Sequence, residues 1–126
     1  MTQGEVRNYA VRARSTDTHG RVLCNVRNHH FVVDGPIQNG CPGEEVTPAE
    51  LFLTGIAACG VELLQAFAKA DQVTLRAVNV EISGMLDRGN PVRHDVSVLN
   101  SVHLRFNLMG VTETQGTQLI DKFKGR

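Results

Sequence analysis

One segment limits what this chain can become. TPAELFLTGIAACGVELLQAFAKA, residues 47–70, is apolar around most of its circumference, with a narrow polar stripe of Glu50, Thr54, Glu62, Gln65 and Lys69. Its start carries helix-initiation chemistry: Thr47 as N-cap, Pro48 at the first helical position and Glu50 three residues after the cap, the capping-box arrangement. At about 1.5 Å per residue such a helix runs roughly 36 Å, enough to cross a small domain. A helix this apolar must be covered on more than one side. The run Leu51–Ala68 also has the length of a membrane span, but it includes Thr54, Glu62 and Gln65. A mid-span Glu is costly in lipid, so a buried helix of a soluble domain is expected.

On both sides of this helix the pattern changes to alternation. In the N-terminal third, Tyr9, Val11 and Ala13 fall on one side of a predicted strand flanked by Arg7, Asn8, Arg12 and Arg14. DTHG at 17–20 is turn chemistry, and RVLCNVRNHHFVVDG returns to strand character. This predicts a hairpin continuing into a third strand around Phe31–Val33. Val22, Cys24 and Val26 share a face, which makes Cys24 a core residue. Residues 35–47, with three Gly and two Pro, form a loop that carries Cys41. Beyond the helix, a turn at Asp71–Gln72 precedes a strand with Val78, Val80 and Ile82 inward. After a turn at 87–91, Val96, Val98, Val102, Leu104, Phe106 and Leu108 predict a second long strand, interrupted at Asn100. Its other face, with Asp95, Ser97, Ser101, His103 and Arg105, has the half-exposed antiparallel pattern. Thr112 and Gln115 offer a second capping box for a short helix bearing Leu119, Ile120 and Phe123. Strands and helices in separate blocks, joined by hairpin-length turns, indicate an α+β domain.

The charges balance, 13 basic against 13 acidic, and the aromatics are five Phe and one Tyr. No global field or basic stripe draws the chain to nucleic acid or to an anionic membrane, so neither partner is expected. The N-terminus shows no signal-peptide pattern. Three cysteines (Cys24, Cys41 and Cys59) at irregular spacing then indicate reduced thiols in a cytoplasmic protein, not a disulfide framework. No CxxC or HExxH is present, and no metal or organic cofactor is expected.

Cys59 lies twelve residues past the N-cap, beyond the reach of the helix dipole. Glu62, one turn on, opposes a thiolate on the same face, so activation needs a cation from elsewhere: Arg7, Arg12, Arg14, Arg21, Arg27 or Arg105. Gly55, Ala58 and Gly60 leave room over the sulfur. Taken alone, these residues predict a buried, inert cysteine. His29 and His30 are adjacent on a strand, point to opposite faces and are expected to be solvent-facing. His103 and Arg105 share a strand face and either contact an anion or are solvated.

The layout is nevertheless familiar. Pro48, Glu50-Leu51, Gly55 and Ala57-Ala58-Cys59 on a long helix, after a strand-rich start and a Gly/Pro loop and before VNVEISG, resemble the osmotically inducible protein C / organic hydroperoxide resistance (OsmC/Ohr) family, over about Val6 to Arg126. The resemblance implies an α+β fold: N-terminal antiparallel strands, a central helix, further antiparallel strands and a short C-terminal helix. It also implies an intertwined homodimer whose central helices meet at the two-fold axis. It further implies a thiol-dependent peroxidase reducing organic hydroperoxides, with Cys59 as the attacking thiolate and a dithiol as reductant.

Three departures accompany it. The residue after the helix Pro is typically a Glu that pairs with a catalytic Arg; here it is Ala49, and Glu50 already serves the cap. Arg12 and Arg14 match the thiolate-activating Arg equally well. Family chains continue into a helix with a second, resolving Cys and a last strand, so residues 1–126 are expected to form a single domain lacking those parts. Cys41 is then a candidate substitute resolving thiol. The alternative is an OsmC-fold homodimer without peroxidase chemistry that binds a small ligand.

Overall fold

The computed structural model describes residues 4–95 and 97–125 and divides into two compact units, Met1–Leu51 and Phe52–Arg126. The boundary falls within the first turn of the long helix.

In the first unit, three antiparallel strands lie in the order β1 (Arg12–Ser15), β2 (Arg21–Val26) and β3 (His29–Asp34). The β2–β3 connection is only Arg27–Asn28, and Arg27 takes the positive φ of 54° that so tight a hairpin requires. The register aligns Ala13, Cys24 and Phe31 in one cross-strand row. Cys24 is 8 % exposed and Val33 4 %, so the expected core face of this hairpin is the buried one. β1 is shorter than its alternation predicts. Its pairing stops at Arg12 opposite Asn25, and Tyr9 and Val11, with no strand beside them, are exposed instead of forming a face with Ala13.

A buried carboxylate secures the loop that follows. Asp34, fully buried at the end of β3, accepts hydrogen bonds from Arg21 Nε (2.8 Å) and Nη2 (2.9 Å) and from the backbone N–H groups of Glu44 (3.1 Å) and Glu45 (2.9 Å). These bonds, led by the Arg21 guanidinium, hold its carboxyl well below the usual carboxylate range against the cost of desolvation. The loop contains one short 3-10 turn, Ile37–Asn39, closed by Gly40 at φ 75°.

The long helix α1 (Pro48–Ala70) begins as its sequence predicts. The Glu50 carboxylate accepts the Thr47 N–H at 2.9 Å and the Thr47 hydroxyl at 2.9 Å, which lowers its pKa. The helix ends in a Schellman motif: Val73 N–H donates to Ala68 O (2.8 Å) and Gln72 N–H to Lys69 O (3.3 Å), with Gln72 left-handed at φ 56°.

The second unit adds the antiparallel pair β4 (Ala77–Met85) and β5 (Ser101–Met109) and the helix α2 (Glu113–Lys124), started by the Thr112–Gln115 capping box. Its core is Leu64, Ala68 and Leu119, with Phe67, Val78, Phe106, Leu108 and Phe123 packed around them. Phe106 and Phe123 meet edge to face, 5.5 Å between centroids. Gly60 lets α1 approach this pair, since a Cβ there would lie 3.3 Å from Phe106 Cε1. The buried residues of α1 (Gly60, Leu64 and Ala68) are spaced by four and form one stripe.

β5 starts at Ser101, so the long strand predicted from Val96 is shortened. Val96 lies outside the described residues, and Val98 is exposed. Asn100 is the reason the strand begins where it does. Its N–H donates to Met85 O, its side-chain oxygen accepts from Asp87 N–H, and its Nδ2 donates to Asn90 O, each at 2.7 Å. The residue thereby closes the turn instead of extending the strand.

Candidate functional site

Cys59 is exposed in this chain, which corrects the expectation of burial drawn from its surroundings in sequence. The stripe that packs is set by Gly60, Leu64 and Ala68, and Cys59 is turned some 100° away from Gly60, as one residue step along a helix of 3.6 residues per turn requires. Phe52, Gly55, Glu62 and Ala66 occupy the same open side at helical spacing and are also exposed. A Cβ on Gly55, one turn before the thiol, would meet nothing within 4 Å. The expected room over the sulfur is therefore present. Only 17 % of an apolar 18-residue window of α1 is buried, and by length and composition the helix is apolar enough to cross a membrane.

The candidate activating cations lie in the first unit. Arg12 and Arg14 project from the same side of β1 into a cavity of about 710 Å³, whose walls also include Val11, Leu23, Asn25 and His30. The register makes the layout explicit: Arg12, Asn25 and His30 form one cross-strand row, and Arg14, Leu23 and Val32 the next. Asn25 Nδ2 lies 3.0 Å from His30 Nδ1. Among the described residues neither Arg12 nor Arg14 has an ion-pair partner. On the same face the Arg21 guanidinium is already committed to Asp34 and Glu44. Asn25 and His30 join Arg12 in its row. The hairpin length fixes their register with Arg12.

Cys41, a free cysteine of the loop, is half-buried. Its Sγ fills a slot between two glycines: a Cβ on Gly20 or Gly35 would lie 2.4 or 2.5 Å from it. Ala49 and Glu50 are both exposed, and Glu50 is engaged with Thr47 as the capping reading requires. His29 and His30 are exposed strand residues on opposite faces. His103 and Arg105 lie on the exposed face of β5, where Arg105 sits opposite Glu81 beside a cavity of about 380 Å³. Among the described residues no cluster of three metal-binding side chains occurs.

By sequence, no protein-family model and no curated protein matches this chain. By structure the likeness is extensive. An OsmC-like protein from Mycoplasma pneumoniae superposes with a TM-score of 0.80 at 19 % identity, over 95 % of this chain and 82 % of that one. An organic hydroperoxide resistance protein from Elizabethkingia anophelis gives 0.78 at 20 % identity, over 98 % and 85 %. One from Legionella pneumophila gives 0.73 at 19 %, over 96 % and 85 %. At such identities it is the arrangement of strands and helices that is shared.

Proposed function

This chain has the OsmC/Ohr fold, and from that premise we propose that it is a thiol-dependent peroxidase for organic hydroperoxides, with Cys59 as its nucleophile. The observation that carries the reading is the exposure of Cys59 on the open side of α1, beside the vacant space over Gly55. The Cys59 thiolate attacks the terminal peroxide oxygen. The S–O bond forms as the O–O bond breaks, and the alkoxide leaves with a proton as the alcohol. Cys59 is then a sulfenic acid. One thiol of an external dithiol displaces water from it, and the second thiol reopens the mixed disulfide. Two electrons thus pass from the dithiol to the peroxide and Cys59 is restored.

One of Arg12 and Arg14 supplies the cation that a reactive thiolate needs. An external dithiol resolves the sulfenic acid in preference to Cys41, whose sulfur is enclosed by Gly20 and Gly35. A second copy of the chain packs against the open side of α1 and leaves the Cys59 thiol reachable at the edge of the contact, giving a homodimer of single OsmC-like domains in the cytoplasm. The small residues Gly55 and Ala66 and the exposed Phe52 on that side support this assembly.

A competing reading, an OsmC-fold dimer that binds a small ligand without peroxidase chemistry, draws on Glu62 one turn from the thiol and on Ala49. The deciding experiment is consumption of an organic hydroperoxide with excess dithiol by the wild-type chain and by Cys59→Ser. Turnover abolished by the substitution establishes the peroxidase. Equal, negligible rates establish the alternative.

A further inference from the structure

The peroxidase reading names the sulfur that reacts but not the molecules it admits. α1 carries the charged residues Glu50, Glu62 and Lys69. Glu50 and Lys69 stand about 14 and 15 Å from Cys59 along the helix axis, beyond a Debye length at ordinary salt. Glu62 stands one turn on, at i+3, where Cβ atoms are about 5–6 Å apart. Both Cys59 and Glu62 are exposed. The other positions one turn from the thiol are Gly55, Ile56 and Leu63, all uncharged. Among the described residues Glu62 has no ion-pair partner. It is not needed for packing either, since the buried stripe of α1 is Gly60, Leu64 and Ala68. A molecule that reaches the sulfur therefore passes beside an unpaired carboxylate.

We propose that Glu62 sets the charge selectivity of Cys59, turning anions away from its sulfur. On the peroxidase reading, on which this part rests, the substrates are then uncharged organic hydroperoxides and not those that carry a carboxylate. The guanidinium that activates the thiol is matched by the thiolate itself, so that pair presents no net charge to an approaching molecule. Glu62 is left as the uncompensated charge. Two like charges about 6 Å apart at an exposed site repel enough to slow a reaction by about threefold to tenfold at low salt. An uncharged hydroperoxide meets no such barrier. The same field acts on the reductant, so an uncharged dithiol reaches the Cys59 sulfenic acid faster than one bearing carboxylates.

The test is alkylation of Cys59 in the full chain by iodoacetamide and by iodoacetate, an uncharged and an anionic reagent that form the same C–S bond and release iodide. Mass spectrometry of the Cys59 peptide keeps Cys24 and Cys41 out of the measurement. The ratio of the two rates cancels any change in the reactivity of the thiol itself. At low salt the iodoacetamide-to-iodoacetate ratio is expected to fall by about threefold to tenfold in Glu62→Gln and to be kept in Glu62→Asp. The difference should vanish in about 1 M salt, where charges are screened within about 3 Å. In the active chain, Glu62→Gln should raise kcat/KM for a carboxylate-bearing hydroperoxide relative to cumene hydroperoxide by a similar factor. The proposal is overturned if Glu62→Gln leaves the alkylation ratio where it was, if Glu62→Asp lowers it as far, or if the difference persists at high salt. Alkylation needs no peroxide, so the two readings fail separately. An inactive chain with a Glu62-dependent ratio removes the peroxidase reading alone, and an active chain with an unmoved ratio removes the charge selectivity alone.

Discussion

Arg21 and Asp34 face each other across the β2–β3 register, joined by two hydrogen bonds of 2.8 and 2.9 Å, and the same carboxylate gathers the backbone of the loop leading to α1. An amide in place of the carboxylate keeps one acceptor oxygen but removes the charge that faces Arg21 and sets a buried NH2 donor against the donors of Arg21 or of the Glu44–Glu45 backbone. Asp34→Asn should therefore lower stability markedly at neutral pH, measured by urea unfolding. The Asp34 carboxyl is held below its ordinary value in the folded chain, so its contribution is complete above about pH 4 and is lost as pH falls from there towards the depressed folded value. The stability gap between wild type and Asp34→Asn should be constant from pH 5 to 8 and narrow below pH 4. A gap that stays the same down to pH 2 would contradict this account.

Gln72 holds a left-handed conformation that glycine adopts without steric cost. Gln72→Gly should stabilise the chain by about 0.5–1 kcal/mol, the steric relief less the added freedom of the unfolded chain. Denaturant midpoints with unchanged slopes would confirm it.

Gly55 and Gly60 differ in what surrounds them. Gly55→Ala should stabilise the isolated chain by about 0.8 kcal/mol through helix propensity alone, because nothing lies within 4 Å of the new methyl group. Gly60→Val should destabilise it by roughly 2 kcal/mol by forcing α1 away from Phe106 and Phe123. Sedimentation of Gly55→Ala separately reads the proposed dimer. A methyl that weakens self-association without weakening the fold places Gly55 at a helix–helix contact.

Peroxide-treated protein should yield a Cys59 sulfenic acid that dimedone traps, and peptide mapping should find no Cys41–Cys59 linkage. The Cys41 sulfur would first have to leave the Gly20–Gly35 slot. Finding that linkage would move the resolving step from an external dithiol to Cys41.

What could be read from the sequence was local. The two capping boxes, Thr47–Glu50 and Thr112–Gln115, the hairpins and the inward placement of Cys24 follow from residue type and period, and all are present. The errors needed knowledge of neighbours. Tyr9 and Val11 alternate as a strand should, but only pairing with β2 makes a strand, and that pairing reaches no further than Arg12. Val98 continues the period of β5, but Asn100 spends its amide on the preceding turn and breaks the ladder. Asp34 gave no sign of burial, because its partner Arg21 and the Glu44–Glu45 backbone meet it only through tertiary structure. Exposure of Cys59 was hidden for the same reason. The helix is apolar on most sides, and the sequence does not say which stripe meets Phe106 and Phe123.

The three cysteines are graded in a way that makes the chain report on its own opening. Cys59 is exposed, Cys41 half-buried in its glycine slot and Cys24 buried within the first sheet. A thiol reagent therefore meets three clocks in one molecule. The first runs at the rate of the reagent, the second at the rate at which the Gly/Pro loop lifts, and the third at the rate at which the sheet comes apart. Because all three read out as the same mass increment on different peptides, local and global unfolding can be timed against each other in a single sample, without a label.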